Sequence, residues 1–187
     1  MNKQVLSISS TLLFLSISIA FGEQYLTEAQ ALKMAFPQSQ RVGSETKVLT
    51  ELDRQEIKKR YGVEVLSTSV RIYSGESDSK VDGYAVIANE IGKSEPITFV
   101  VALDANGKVK TVAIMEFRES RGWEVKEPRF LRQFNGKKPT DHLRVNDDVV
   151  NLSGATLSSY AVARGVKKAV VLVDYFFLRP VGNRGAR

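Results

Sequence analysis

The sequence predicts an α+β domain: a twisted, mainly antiparallel sheet with helices toward its N-terminus and a long helix at its C-terminus. Three observations carry this. Strand-like runs cluster in the middle of the chain, a turn signal joins two of them, and helical patterning is confined to the two ends. Grouped strands with segregated helices argue against a doubly wound parallel sheet. The chain has 187 residues, enough for one sizeable core, and its 43% apolar and 26% charged residues are those of a folded protein.

The elements follow in order. Lys3 and the serine-rich apolar run Val5 to Ala20, closed by the small residues of Ala20-Phe21-Gly22, read as an export signal cut before Glu23. The run is short for a membrane span, although an uncleaved anchor is the alternative. The expected division is therefore 1–22 signal peptide and 23–187 folded domain. Thr27-Glu28-Ala29-Gln30 has the capping-box pattern, so a helix starts there, and Pro37 ends it. Arg41 to Leu49 is extended. Thr50 caps a second helix that runs through Arg60 and closes at Gly62. Strands are expected at Ser69 to Tyr73, Gly83 to Asn89, Ile97 to Leu103 and Val109 to Phe117. Asp104-Ala105-Asn106-Gly107 makes a hairpin of the last two. Both faces of Val109 to Phe117 are largely apolar, which predicts a central strand. Glu127 to Phe134 fits a short helix with Pro128 in its first turn. A long helix spans Ser158 to Phe177, with Val162, Val166, Ala169, Val170, Val173 and Phe177 on one stripe.

Composition excludes several functions. There is no cysteine, hence no disulfide, thiol catalysis, iron–sulfur ligation or lipid-anchored N-terminal cysteine. The single histidine, His142, rules out a histidine-rich metal site and reads as an ordinary surface residue. The net charge of +6 and pI near 9.5 would suit a nucleic-acid binder, but the basic residues are dispersed among nearly as many acids, so no nucleic-acid partner is expected. Ser77-Asp78-Ser79-Lys80 matches a Ser-x-x-Lys nucleophile pattern but lies in a charged linker rather than at a helix start.

The candidate site is Ser153-Gly154-Ala155-Thr156, which opens the last helix. Gly154 allows close backbone approach, Ala155 leaves room, and the first amides of a helix favour an anion such as a phosphate. The plain alternative is that Ser153 or Ser158 simply caps the helix. This segment, with Leu157-Ser158-Ser159 after it, resembles the flavinylation motif of the FMN-binding domain family. That domain occurs in components of sodium-translocating NADH:quinone reductases and of Rnf-type complexes, and in stand-alone exported proteins. Two further segments share the resemblance in order: Glu119-Ser120-Arg121-Gly122-Trp123, close to the stand-alone branch's Glu-x-Arg-Gly-Trp, and Phe130 to Lys137. The front segment, Ala31 to Thr50, is similar to that branch too.

The resemblance implies an FMN cofactor joined through its phosphate to Thr156 by a magnesium-dependent flavin transferase that uses FAD. Ser153, Gly154, Ala155, Leu157 and Ser158 surround that link. Glu119, Ser120, Gly122 and Trp123 would border the flavin, Glu119 either bonding it or closing a turn, Trp123 either stacking on it or packing in the core or rim. Arg129, Arg132 and Lys137 would balance the phosphodiester charge or form a solvated face. The family commonly has an acidic residue where this chain has Asn151. The implied role is an exported electron carrier, a relay rather than an enzyme with its own substrate. It would work between a membrane quinol or haem protein and an extracytoplasmic acceptor, soluble or peripheral at the membrane. The rival role is a flavin-free docking module of the same fold.

Overall fold

The computed structural model describes residues 23–179. The export-signal reading therefore lies outside the described residues, as do residues 180–187.

The fold is α+β, as the segregated pattern predicts. Six antiparallel strands form one sheet in the order β1-β6-β5-β4-β3-β2. They are β1 (Glu23–Gln24), β2 (Arg41–Val48), β3 (Ser69–Ser77), β4 (Lys80–Ile91), β5 (Pro96–Asp104) and β6 (Val109–Phe117). Helix α1 (Glu28–Ala35) starts at a full capping box between Thr27 and Gln30. Helix α2 (Glu51–Tyr61) starts at another, between Thr50 and Asp53, and ends on left-handed Gly62. Helix α3 (Pro128–Leu131) continues as a 3₁₀ turn to Phe134.

Helix α4 spans Thr156–Val173 and passes into a π-helical turn, Asp174–Leu178. It begins two residues earlier than the pattern suggests. Ala155 occupies the cap and no side chain caps the helix, so neither Ser153 nor Ser158 plays that part.

One expectation changes. The hairpin β3–β4 is longer than predicted at both arms and turns at Asp78-Ser79, whose φ angles are +48° and +62°. A two-residue hairpin turn needs positive φ at both central positions, and these residues adopt it without glycine. The segment read as a charged linker is thus a tight turn. Strand β6 is interior to the sheet, as its two apolar faces predict, with β5 on one side and β1 on the other. Only the two residues of β1 flank its outer side, where Tyr25 and Leu26 also donate backbone bonds to the Met115 carbonyl. Both its faces are apolar because both are covered. Val112, Ile114 and Phe117 enter the large core under α4, and Met115 joins a smaller core with Ala31 and Ala35 of α1.

The contact that seats α4 is Gly165. A Cβ at that position would overlap Phe99 Cζ and lie 2.8 Å from Glu90 Cγ, so the helix crosses β4 and β5 at backbone distance. On either side of it Val162, Val166, Val170 and Val173 are fully buried. This packing fixes the position of Thr156 at the helix start.

Candidate functional site

The turn that opens α4 is built from small residues under local constraint. Gly154 has φ +84°, a conformation that glycine adopts without strain. Ala155 is buried and its amide donates to the Leu152 carbonyl at 3.1 Å. Thr156 follows as the first helical residue, exposed to solvent. The amides of the first turn have no intrahelical acceptor and no side chain caps them, so they face outward with the positive end of the helix. The Thr156 hydroxyl accepts a hydrogen bond from Asn151 Nδ2 at 3.1 Å.

The loop after β6 is docked on this turn. Gly122, at φ +89°, lies against α4 so closely that a Cβ would overlap Ser158 Oγ and reach 3.6 Å from the Ala155 Cα. Ser158 is itself buried, serving this contact rather than the surface. Gly122 leads into a 3₁₀ turn, Trp123–Lys126. Trp123 is 48% exposed, a rim residue, with Lys126 Nζ 5.3 Å from its ring and 4.3 Å from that of Tyr25. Ser120 is exposed on the same loop. Leu157, Tyr160 and Val150 are exposed too, leaving apolar surface around Thr156.

Glu119 is turned away from this surface. Its carboxylate accepts the amides of Lys93, Ser94 and Glu95 at 2.5, 2.6 and 2.9 Å and the Ser94 hydroxyl at 3.2 Å, closing the β4–β5 turn. Partial burial pushes its pKa up, but those amides outweigh burial and hold it below the usual glutamate range. Of the two readings of Glu119, turn closure is the one that its bonds fill.

Two residues were not singled out from the sequence as ligands. Glu124 reaches the small-residue turn, its Oε1 4.0 Å from the Cβ site of Gly154. Glu124 Oε2 and Asn151 Oδ1 are buried acceptors without a partner, two of only three such atoms among the described residues. Unsatisfied buried acceptors beside an uncapped helix start suit a ligand that brings donors. Tyr160 stands one turn along α4 from Thr156, and its hydroxyl is bonded by Asn146 Nδ2 at 3.3 Å. The i, i+4 spacing was the available signal for Tyr160, and adjacency to Trp123 the signal for Glu124.

The remaining candidates are structural or solvated. Lys137 Nζ binds Asp148 at 3.0 Å, and Asp148 accepts the amides of Leu143 and Arg144, which organises the loop leading to Asn151. Gln133 clamps the backbone of Val150 from both sides. Arg129 pairs with Glu127 on the surface, and Arg132 is exposed. His142 is exposed and bonded to Asp147 at 2.6 Å. A depression of about 410 Å³ borders the turn, lined by Arg129, Phe130, Gln133 and Val150 to Ser153. A larger cavity, about 1200 Å³, lies between β3, β4 and α4.

Sheet and turn define a class: α+β domains that bring a small-residue turn and an uncapped helix start to the surface beside exposed aromatic side chains. The comparisons make it particular. Residues 92–171 match the model of the FMN-binding domain, with Trp123, Glu124 and Thr156 inside the match. The chain is 34% identical over 112 residues to the G component of the proton-translocating ferredoxin:NAD(+) oxidoreductase complex of Clostridium ljungdahlii, covering 56% of this chain and 60% of that relative. Its fold matches the crystal structure of NqrC from Shewanella oneidensis with a TM-score of 0.50 and 18% identity, over 75% of this chain and 86% of that one.

Proposed function

We propose that this protein is an exported electron carrier whose FMN is held covalently by a phosphoester to Thr156. The observation that carries the reading is the setting of that hydroxyl: solvent-facing, at an uncapped helix start, oriented by Asn151, and inside the FMN-binding domain match. The donor set fits the group. The free amides of the first turn suit its phosphate. Ser153, Gly154 and Ala155 leave room for it, and Trp123 and Leu157 offer apolar surface to its ring. Gly122, seated on Ser158, sets where Trp123 leaves the loop, and Ser120 and Glu119 precede it on that loop. Bound FMN supplies the redox chemistry; the chain supplies position and field.

Attachment belongs to a separate, magnesium-dependent flavin transferase with FAD as donor. A bond forms between Thr156 Oγ1 and the FMN-side phosphorus, the pyrophosphate bond breaks, AMP leaves, and the hydroxyl proton goes to a base of the transferase. A threonine hydroxyl needs such help. The side chain bonded to Thr156 is Asn151, which donates and cannot take the proton. The carrier would exchange electrons between a membrane quinol or haem protein and an extracytoplasmic acceptor. A covalent link suits a compartment in which lost flavin is not replaced.

The test is Thr156→Ala, isolated from cells that contain an active transferase. Thr156 caps nothing, so the variant folds with a stability within about 0.5 kcal/mol of the parent. It is expected to be colourless. Flavin that survives denaturation of this variant would place the acceptor elsewhere.

A further inference from the structure

The sheet is split. The β3–β4 ladder begins at Ile72↔Val86 and continues toward the hairpin turn. The other ends of both strands do not pair with each other. Residues Ser69 to Arg71 pair only with β2, and Ile87 to Ile91 only with β5. Two strand edges therefore face each other across a gap, and residues of both edges line the cavity of about 1200 Å³. Strand edges carry unpaired amides and carbonyls that must be satisfied by water or by a partner.

We infer that this gap is a docking slot for an extended segment of a partner protein, inserted as an additional strand between β3 and β4. The edges dictate the class of ligand. Only a polypeptide backbone offers donors and acceptors alternately to both sides at the strand repeat of about 3.3 Å. The slot's two faces dictate the pattern. Toward α4 the cavity is apolar, with Val65, Val86, Val145 and Leu172; toward the other face it is more polar, with Glu28, Thr46, Arg71 and Asn89 beside Tyr73 and Ile87. A strand with alternating apolar and polar side chains matches both. Charge dictates the ends. Five arginines and lysines line the cavity against three glutamates. Glu90 is already shared by Arg164 and Lys168, at 2.7 Å each, whereas the Arg144 side chain has no partner among the described residues. The inserted segment therefore carries acidic residues. The slot opens at Tyr160, one turn from Thr156, so a protein seated there lies beside the proposed flavin site.

The probe is an acetylated, amidated heptapeptide alternating valine and threonine between terminal aspartates, labelled for fluorescence anisotropy and added to the full-length protein. Saturable binding is expected, with slowed amide exchange at residues 69–71 and 87–90. Arg144→Glu should weaken it about fivefold, and a peptide with terminal lysines should reverse that preference. Insertion uses both edges of the peptide, so N-methylation of either alternate set of amides should abolish binding. Retention by one methylated form would mean addition to the outer edge of β2 and would overturn the slot. Absence of saturable binding would overturn it too. Binding seen only after removal of residues 180–187 would make that tail the occupant instead. The assay is repeated on Thr156→Ala, where binding must persist; docking and flavin attachment are thus tested separately.

Discussion

The amide of Asn151 donates to the hydroxyl of Thr156 at 3.1 Å, across the turn that opens the C-terminal helix. The bond occupies a lone pair of the oxygen and leaves its proton free to be removed. It also orients the hydroxyl before any second protein arrives. Asn151→Leu should slow flavin attachment about tenfold, the worth of one positioning hydrogen bond. Asn151→Asp keeps the side-chain shape but reverses the bond, the Thr156 hydroxyl then donating to a carboxylate that can also take its proton, so attachment should proceed at least as fast as in the parent. Rates of mass gain with a purified transferase check both. A Leu variant labelled at the parental rate would remove Asn151 from the site.

Gly122→Ala should cost roughly 2–4 kcal/mol. The left-handed φ accounts for about 1–2 kcal/mol and the overlap with Ser158 for the rest. The pair Gly122→Ala with Ser158→Ala should recover part of that loss, because the two residues touch. Thermal unfolding of the four proteins gives the coupling directly, and additive losses would show that the loop is not seated on the helix.

Gly165→Leu should destabilise more than any surface change, since α4 rests on Phe99 at that glycine. Overpacking costs about 1–3 kcal/mol, and a displaced helix also shifts Thr156. Loss of stability together with slower flavin attachment is expected. Attachment unaffected by the shift would mean that the turn is positioned independently of α4.

Acid should unfold the protein in part through Asp148 and Glu119. Burial raises both carboxyls, but backbone amides, and for Asp148 also Lys137, outweigh it and hold both below their ordinary values. A carboxylate with a depressed folded pKa contributes stability above its unfolded pKa, about 4, and loses it as pH falls through the folded value. Stability should thus fall below about pH 4, and Asp148→Asn should flatten part of that fall. Denaturant melts between neutral pH and acid give the slope; an unchanged slope would contradict the depressed Asp148.

Much of the fold was legible because its signals are local. Both capping boxes, the Gly62 stop and the Asp104–Gly107 turn are spelled by neighbouring residues. The Asp78-Ser79 turn was not, because positive φ at two non-glycine residues leaves no mark in composition. The place of β6 inside the sheet was legible too, because covered faces on both sides leave an apolar pattern on both. Thr156 and Trp123 stood out through motif order. Glu124 and the Asn151 bond depend on how separate loops meet, and the split between β3 and β4 depends on where pairing stops.

The central claim is a phosphoester at Thr156, and peptide mass analysis tests it most directly. The protein should be apo when produced without an exported flavin transferase. Produced with one, it should gain the mass of one FMN less one water, on a peptide containing Ser153 to Ser158, and Thr156→Ala should gain nothing. A chain that stays unmodified beside an active transferase, in the parent and in Asn151→Asp alike, would contradict the covalent carrier and leave a flavin-free docking module as the better account.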